Sequence, residues 1–241
     1  MELKQHFGLF LKNRLNQMKT KFSIIIDFDS TIIKSESFDC LSKIILNQTK
    51  NKSEIIKKIS NLTNQGMNGE ISFEQSMNER LLLLNMNKNH IKSLSLEASE
   101  DFDETFIKNL DFFEKLVENI YIVSGGFKEV IEDAFKFISS KSWNIFGNEF
   151  KYRGDSIIGI NRKNLLSKNL GKVKLVESLN LSGDVIVVGD GYTDYELKKF
   201  NVANYFLCYT RNIKRDKILE YSDLVCNDFN QVVKFIKKNY I

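Results

Sequence analysis

The chain has 241 residues, of which 42% are hydrophobic and 27% are charged. This composition is typical of a soluble globular protein and excludes collagen-like, intrinsically disordered and disulfide-scaffold chains. The 35 basic and 31 acidic residues leave a formal charge of +4 without a basic block, so nucleic acid is not an expected partner. Three cysteines and two histidines are too few for a zinc cluster, and no apolar run approaches the roughly 20 residues of a membrane span. We therefore expect a cytoplasmic protein that does not bind a membrane.

The first predicted element is an amphipathic helix over residues 1–21. Its apolar side chains recur at helical spacing, and its basic side chains lie off that stripe. The apolar positions are Leu3, Phe7, Leu11, Leu15 and Met18. We expect this helix to pack on the body of the protein, and a homodimer formed through it is the alternative.

After this helix, apolar runs alternate with amphipathic segments. Strands are predicted over residues 22–27, 120–124, 184–189, 203–208 and 223–225, with two or three more between 143 and 160. Helices are predicted over residues 36–46, 54–62, 72–84, 89–97, 104–118, 128–138, 172–179 and 229–238, and near residues 195 and 214. This alternation predicts an α/β fold with a doubly wound parallel sheet.

One stretch, residues 41–102, contains helical patterns alone and separates the first two strands of the sheet. It is too long for a single crossover connection, so we interpret it as an inserted helical cap. The predicted organisation is an N-terminal helix over residues 1–21, a core over 22–40 and 103–241, and a cap over 41–102.

Polar clusters fall at the predicted carboxyl ends of the strands, where open parallel sheets bind their ligands. The clusters are Asp27 with Asp29, Ser124 with two glycines, and Asp190 with Asp194. Carboxylates that converge on one point repel each other unless a cation lies between them, and their oxygens suit Mg²⁺. A hydroxyl, glycine N–H groups and a lysine form a site suited to phosphate. Together these groups predict phosphoryl transfer, in which one carboxylate attacks and its neighbour moves the proton.

Three lysines lie close together in the part of the chain that is expected to supply the phosphate-binding amine. Lys172 follows Gly171 at the start of a predicted helix, where its side chain can reach a phosphate. We favour Lys172 for this reason, with Lys168 and Lys174 as alternatives.

These motifs resemble those of the haloacid dehalogenase superfamily, whose phosphatases use an aspartate as nucleophile. Asp-x-Asp-x-Thr stands at residues 27–31, Ser-Gly-Gly at 124–126 and Gly-Asp-Gly-x-x-Asp at 189–194. The resemblance implies the Rossmann-like core of that superfamily and Mg²⁺ as the cofactor. It implies these roles: Asp27 as nucleophile; Asp29 as general acid and base; Ser124, Gly125 and Lys172 as phosphate ligands; Asp27, Asp190 and the main-chain carbonyl of Asp29 as metal ligands; and Asp194 as support for the metal site.

Within this superfamily the chain resembles the phosphoserine phosphatases through a smaller set of residues. Glu36 stands where that family has a glutamate after the nucleophile, and residues 66–76, followed by Arg80, are similar to a stretch of its cap. The resemblance implies that Glu36 binds the substrate amino group, that Arg80 pairs with its carboxylate, and that Met67 and Phe73 close the pocket. Opposite charges suit a zwitterion, and the planar fork of arginine suits a carboxylate. The expected reaction is hydrolysis of O-phospho-L-serine, the last step of serine biosynthesis.

Three alternatives remain open from the sequence. The first keeps the chemistry and changes the substrate to another small phosphorylated metabolite. The second is a phosphoryl transferase that passes the phosphate to an alcohol acceptor such as homoserine. The third is a non-catalytic binding module that uses the N-terminal helix, and the complete set of carboxylates argues against it.

Overall fold

The computed structural model describes residues 21–47 and 52–241. The predicted N-terminal helix, apart from its last residue, lies outside the described residues. The homodimer contact predicted through that helix lies outside them as well, and both stay predictions.

The strands define a central sheet and a separate hairpin. In chain order they are β1 (Phe22–Ile26), β2 (Ile120–Phe127), β3 (Asn144–Asn148), β4 (Phe150–Arg153), β5 (Ser156–Ile160), β6 (Asp184–Gly189), β7 (Tyr205–Tyr209) and β8 (Leu224–Cys226). Six of them form the sheet in the spatial order β3-β2-β1-β6-β7-β8, and all its neighbouring strands run parallel. Strand β1 therefore lies inside the sheet between β2 and β6.

Helices cover the sheet and fill the connections between its strands. In chain order they are α1 (Ser37–Leu46), α2 (Lys52–Met67), α3 (Phe73–Leu82), α4 (Lys88–Glu100), α5 (Glu104–Lys108), α6 (Leu110–Glu114), α7 (Lys128–Ile138), α8 (Gly171–Ser178), α9 (Tyr192–Lys199), α10 (Asp216–Leu219) and α11 (Phe229–Tyr240). Within the described ranges, no helix is long and apolar enough to cross a membrane.

Both faces of the sheet are covered, and the sequence of β1 shows why. Ile24 and Ile26 belong to one buried apolar cluster, whereas Ile25 between them belongs to a second. Successive side chains of a strand point to opposite faces, so a strand that is covered on both sides is apolar on both faces. The predicted α/β fold with a doubly wound parallel sheet is confirmed.

The four helices α1 to α4 lie in the chain between β1 and β2. The two chain segments that lead into and out of this insertion are bonded to each other. Ile33 and Phe102 form an antiparallel bridge, and the N–H of Lys34 donates to the carbonyl of Asp101 at 3.0 Å. Helix α1 runs through the predicted boundary at residue 41. The limits assigned to core and cap stay predictions.

The helix predicted over residues 104–118 is wrong as a single element. The structure divides it into α5, α6 and a short turn of 3₁₀-helix over Val117–Asn119. Asn109 ends α5, and its side-chain amide donates to the carbonyl of Thr105 at 2.8 Å. Asparagine forms such local hydrogen bonds in competition with the helical pattern, which explains the break.

The second strand extends beyond its predicted end at residue 124. Strand β2 continues to Phe127, so residues 124–126 lie within the strand and not after it. The pairing of β2 with β3 shifts register between Val123 and Phe127. In the part of the chain that the structure describes, residues 124–126 are therefore not paired with a residue of β3.

The apolar segment between residues 143 and 160 contains three strands. Only β3 joins the main sheet, and β4 and β5 pair with each other in an antiparallel hairpin. This hairpin contacts the beginning of α4, because Asn87 and Ser156 form a bridge and the N–H of Lys88 donates to the carbonyl of Asp155 at 3.0 Å.

Candidate active site

A cavity lies at the carboxyl ends of β1 and β2, beside the end of β6. These three strands are neighbours in the sheet, so residues that follow them converge. The predicted site residues that line the cavity are Asp27, Asp29, Glu36, Met67, Phe73, Arg80, Ser124, Gly125 and Lys172. The structure therefore brings residues of the sheet and of the inserted helices into one site.

Asp27 follows β1 directly and is held by contacts on every side. Its N–H donates to the carbonyl of Val188 in β6 at 3.0 Å. Its Oδ1 accepts a hydrogen bond from the N–H of Phe28 at 2.7 Å, and its Oδ2 lies 2.8 Å from Nζ of Lys172. The residue is only 3% exposed. The carboxylate thus faces the cavity in a fixed orientation.

Asp29 reaches the same cavity because the chain turns at Ser30, where φ is 54°. The Ser37 hydroxyl donates a hydrogen bond to Oδ1 of Asp29. Burial raises the pKa of Asp29 to about 7, and the charge of Asp27 adds to the rise, although the hydrogen bond from Ser37 opposes it. A carboxyl group that keeps its proton close to neutral pH is suited to general acid and base catalysis.

Residues 124–126 place a hydroxyl and two glycines against the cavity. The Ser124 hydroxyl accepts a hydrogen bond from the N–H of Gly126 at 3.0 Å. The carbonyl of Gly125 accepts one from the side-chain amide of Asn148 at 2.8 Å, which fixes the orientation of that peptide group. A Cβ atom on Gly125 would lie 2.6 Å from the ring of Phe73, so a larger residue here would require that ring to move. The role of Ser124 and Gly125 as phosphate ligands stays a prediction.

Lys172 is the buried cation of the site. It lies in the first turn of α8, and its Nζ is 2.8 Å from Oδ2 of Asp27 and 2.7 Å from Oδ1 of Asp194. Burial lowers the pKa of Lys172, but the two carboxylates outweigh burial and hold the pKa above its usual value. The side chain is therefore a permanent positive charge next to the candidate nucleophile.

The two alternative lysines lie elsewhere. Lys168 is 40% exposed in its side chain and pairs with Glu74 at 3.4 Å. Lys174 is exposed and donates to the carbonyl of Asn169 at 3.1 Å. Of the three lysines, the geometry favours Lys172 as the phosphate ligand.

We expect Lys172→Met to lower kcat/KM for a phosphomonoester by about 10²- to 10³-fold, the effect typical of losing one electrostatic contact to the transition state. Lys168→Met is the matched control and should change activity only slightly, because an exposed ion pair contributes little. Steady-state release of inorganic phosphate measures both variants. Equal losses in the two variants would contradict the assignment of Lys172.

Asp190 and Asp194 add two buried carboxylates next to that of Asp27. One oxygen from each of the three carboxylates lies within 4.8 Å of the others. Burial raises the pKa of Asp190 to about 7 and that of Asp194 to about 8, although Arg215 and Lys172 lower them. Clustered, buried carboxylates of this kind are stabilised in their charged form by a divalent cation, and oxygen-only donors suit Mg²⁺. The residues present therefore fit the predicted magnesium ion.

The protein contacts of these two carboxylates differ. Asp194 accepts hydrogen bonds at both oxygens, from Lys172 at 2.7 Å and from the N–H of Gly191 at 3.1 Å. Asp190 accepts one from Arg215 at 2.9 Å at Oδ2, and the Thr31 hydroxyl lies 3.5 Å from its Oδ1. Each carboxylate thus accepts a hydrogen bond at both oxygens, and the separate roles assigned to Asp190 and Asp194 stay predictions.

Glu36 precedes α1 and is half-buried at the cavity. Its Oε1 accepts a hydrogen bond from the Ser30 hydroxyl at 2.9 Å and one from Arg215 at 3.2 Å. Burial raises its pKa to about 7, and the charge of Asp29 adds to the rise while Arg215 opposes it. Its predicted role in binding the substrate amino group stays a prediction.

Arg80 lies on α3 and is buried, with 5% of its surface exposed. Its guanidinium donates to the carbonyl of Ser76 at 3.2 Å and to the hydroxyl of Thr63 at 3.1 Å, and it stacks 4.6 Å above the ring of Phe38. Among the described residues, no carboxylate oxygen lies within 4.0 Å of its nitrogens. Burial lowers its pKa. A buried guanidinium that has no carboxylate partner among the described residues is suited to an anionic group of a ligand.

Met67 and Phe73 come from the inserted helices and lie over the glycines of the core. The methyl group of Met67 contacts Gly191, and the ring of Phe73 covers Gly125. Both side chains line the cavity. The predicted closure of the pocket by Met67 and Phe73 stays a prediction.

Three buried residues of the site were missed by the sequence analysis, namely Arg215, Asn148 and Ser37. Ser37 directly follows Glu36 and begins α1, so its proximity to the site could have been inferred. Asn148 ends β3, the strand next to β2, and the carboxyl end of a neighbouring strand was a usable signal. Arg215 lies in a loop just before α10, which is the short helix predicted near residue 214, and nothing in the sequence around it indicates its contacts.

No protein-family model matches the chain. The chain resembles enzymes of the haloacid dehalogenase type in its fold and its site, and its relatives indicate a phosphatase that acts as a phosphoric monoester hydrolase. The particular enzyme that the chain resembles is phosphoserine phosphatase. The chain is 23% identical over 215 residues to the phosphoserine phosphatase of Homo sapiens, and this match covers 88% of the chain and 91% of the human protein. It is 25% identical over 233 residues to that of Methanocaldococcus jannaschii, covering 91% of this chain and 99% of the relative.

A solved structure supports the same likeness. The crystal structure of a phosphoserine phosphohydrolase-like protein from Francisella tularensis superposes with a TM-score of 0.80. It is 29% identical in sequence and covers 90% of this chain and 100% of that one. The resemblance to phosphatases that the sequence motifs indicated is thus confirmed at the level of the enzyme class.

Proposed function

We propose that the protein hydrolyses O-phospho-L-serine to L-serine and inorganic phosphate, with Mg²⁺ as cofactor and a phosphorylated Asp27 as intermediate. The observation that best supports this substrate is the pair of opposite charges at the cavity beside Asp27. Arg80 offers a buried guanidinium, and Glu36 offers a carboxylate. A substrate that has both a carboxylate and an ammonium group is complementary to the two. The names of the relatives support the same substrate.

The reaction takes two displacements at phosphorus. In the first, a carboxylate oxygen of Asp27 forms a bond to phosphorus, and the bond between phosphorus and the serine oxygen breaks. Asp29 gives its proton to the departing oxygen, which its raised pKa of about 7 allows. In the second, Asp29 takes a proton from a water molecule, the water oxygen attacks phosphorus, and the bond to Asp27 breaks. Inorganic phosphate is released, and both carboxyl groups return to their first state.

The remaining residues hold the phosphoryl group and its charge. We assign the Ser124 hydroxyl, the Gly125 N–H and the Lys172 ammonium group to the phosphoryl oxygens, as charge-assisted hydrogen-bond donors. The ligands that we propose for Mg²⁺ are the carboxylates of Asp27 and Asp190 and the main-chain carbonyl of Asp29, with Asp194 in support. When it is bound, the ion supplies positive charge beside the phosphoryl oxygens.

Phosphate release from a panel of small phosphomonoesters, with and without Mg²⁺, tests the proposal. The panel contains O-phospho-L-serine, phosphoethanolamine, which lacks the carboxylate, and the phosphate ester of 3-hydroxypropanoate, which lacks the amino group. We expect phosphoserine to have the highest kcat/KM and to require the metal. A preference for a compound that lacks either group would contradict the proposed substrate. Analysis of the products with homoserine present distinguishes hydrolysis from phosphoryl transfer.

We expect Arg80→Met to lower kcat/KM for phosphoserine on the order of 100-fold, because a buried charge-assisted contact to the substrate is lost. Activity on phosphoethanolamine should change far less, since that substrate has no carboxylate to pair with Arg80. Arg153→Met, at an exposed arginine of β4, is the matched control and should be active on both. A similar loss on both substrates in Arg80→Met would argue against a carboxylate contact.

A further inference from the structure

Arg215 is a buried arginine that has no part in the reaction as proposed above. It lies in the loop between β7 and α10 and is 5% exposed. Its Nε donates to Oδ2 of Asp190 at 2.9 Å, its Nη1 to Oδ1 of Asn64 at 3.1 Å, and its Nη2 to Oε1 of Glu36 at 3.2 Å. One guanidinium thus joins the end of β6, a helix of the insertion and the segment that leads into α1.

The charges around Arg215 make this contact more than a simple packing interaction. Glu36 and Asp190 are both paired with the same buried cation, so removal of that cation leaves two carboxylates without it. The three hydrogen bonds leave the guanidinium in three directions, which a planar fork with five N–H donors permits and a lysine ammonium group on a flexible stem does not reproduce.

The bonds to Glu36 also determine which of its oxygens can meet a ligand. The Ser30 hydroxyl and Arg215 both donate to Oε1. The second oxygen, Oε2, is then the one available to a positively charged group in the cavity. Among the described residues, Glu36 lines the cavity and Arg215 does not, so Arg215 acts on a substrate through Glu36.

We propose that Arg215 is a positioning residue that orients the Glu36 carboxylate toward the substrate ammonium group and connects it to Asp190 of the metal site. This inference rests on the proposed function, because it requires that Glu36 binds an amine. The preference of the enzyme for an amino-acid phosphate then depends on a loop that is distant in sequence from both carboxylates.

The test uses the ratio of kcat/KM for phosphoserine to kcat/KM for the phosphate ester of 3-hydroxypropanoate. Arg215→Met removes the charge and approximates the length of the side chain, and Arg215→Lys keeps the charge without the fork. We expect the ratio to fall about 10- to 100-fold in Arg215→Met, mainly through KM for phosphoserine, as is typical when a partner of a ligand-binding group is lost. Arg215→Lys should recover part of the ratio. Lys217→Met, at an exposed lysine two residues away, is the matched control and should keep the wild-type ratio.

Glu36→Gln and the double variant with Arg215→Met complete the cycle. If Arg215 acts through Glu36, the double variant has the same ratio as Glu36→Gln alone. Equal losses on the two substrates, or an unchanged ratio in Arg215→Met, would overturn the role of Arg215 while leaving the proposed function intact. A wild-type ratio close to one, or a ratio that Glu36→Gln does not lower, would instead overturn the proposed substrate and this inference with it. Arg215→Lys keeps the test decisive if Arg215→Met does not fold.

Discussion

Asp27→Asn is expected to lower the turnover of phosphoserine by at least about 10⁵-fold, the loss typical when a catalytic nucleophile is removed. The amide nitrogen and oxygen of asparagine occupy nearly the same space as the carboxylate but do not attack phosphorus at a useful rate. Asp27 lies against Lys172 and the N–H of Phe28, so the substitution changes the charge of the group more than its packing. Phosphate release under saturating substrate and Mg²⁺ measures the effect.

A matched control separates chemistry from stability in this experiment. Asp184 begins β6, at the amino end of the strand and away from the site. It accepts a hydrogen bond from the Tyr240 hydroxyl at 2.8 Å. Asp184→Asn should therefore keep nearly full activity. Intact-mass spectrometry of acid-quenched wild-type enzyme should detect a phosphoryl adduct, and peptide mapping should locate it at Asp27. An adduct on another residue, or appreciable turnover by Asp27→Asn, would refute the assigned nucleophile.

The sheet could be predicted because its strands are short, apolar and buried on both faces. Residues 22–27 and 184–189 were identified from runs of β-branched residues, and the strands observed there differ from the prediction by one residue or less at each end. Parallel strands also order their carboxyl ends along one edge. This is why the sequence predicts one site for residues that are far apart in the chain, such as Asp27 and Asp190.

The boundaries that failed depend on local hydrogen bonds and not on apolar periodicity. The apolar pattern of residues 104–118 continues through Asn109, but the side chain of that asparagine bonds to the carbonyl of Thr105 and divides the helix. Residues 124–126 were expected after their strand, whereas a shift of register keeps them inside it. Neither effect has a signal in hydrophobicity alone.

The contacts of Arg215 could not be predicted because they come from a loop. Arg215 meets Glu36 and Asp190 only after β7 and the loop that follows it have been placed beside β6. Lys172 was favoured among three nearby lysines because it begins a helix after Gly171, and its burial and its two carboxylate partners support that prediction. Sequence motifs thus indicated the reacting groups, whereas the charges that hold those groups became visible only in the structure.

Asp29→Asn is the second substitution with a large expected effect, a loss of up to about 10⁴-fold on phosphoserine, since a general acid and base contributes by factors of this size. The serine oxygen leaves poorly without a proton, and asparagine has no acidic proton to give. Acetyl phosphate provides the contrast, because its acetate group leaves without protonation. We therefore expect the first displacement to proceed in Asp29→Asn with acetyl phosphate, while the second displacement is slow because water has lost its base.

This pattern has a signature that a purely structural defect does not produce. Asp29→Asn incubated with acetyl phosphate and Mg²⁺ should release about one equivalent of acetate per enzyme in a burst, as expected when a covalent intermediate accumulates. The phosphorylated enzyme should then be detectable by intact mass for longer than in the wild type. Asparagine keeps an oxygen that can accept the hydrogen bond from Ser37, so the local structure around residue 29 is expected to persist. Loss of the burst together with loss of turnover would mean that Asp29 positions the site and does not move the proton.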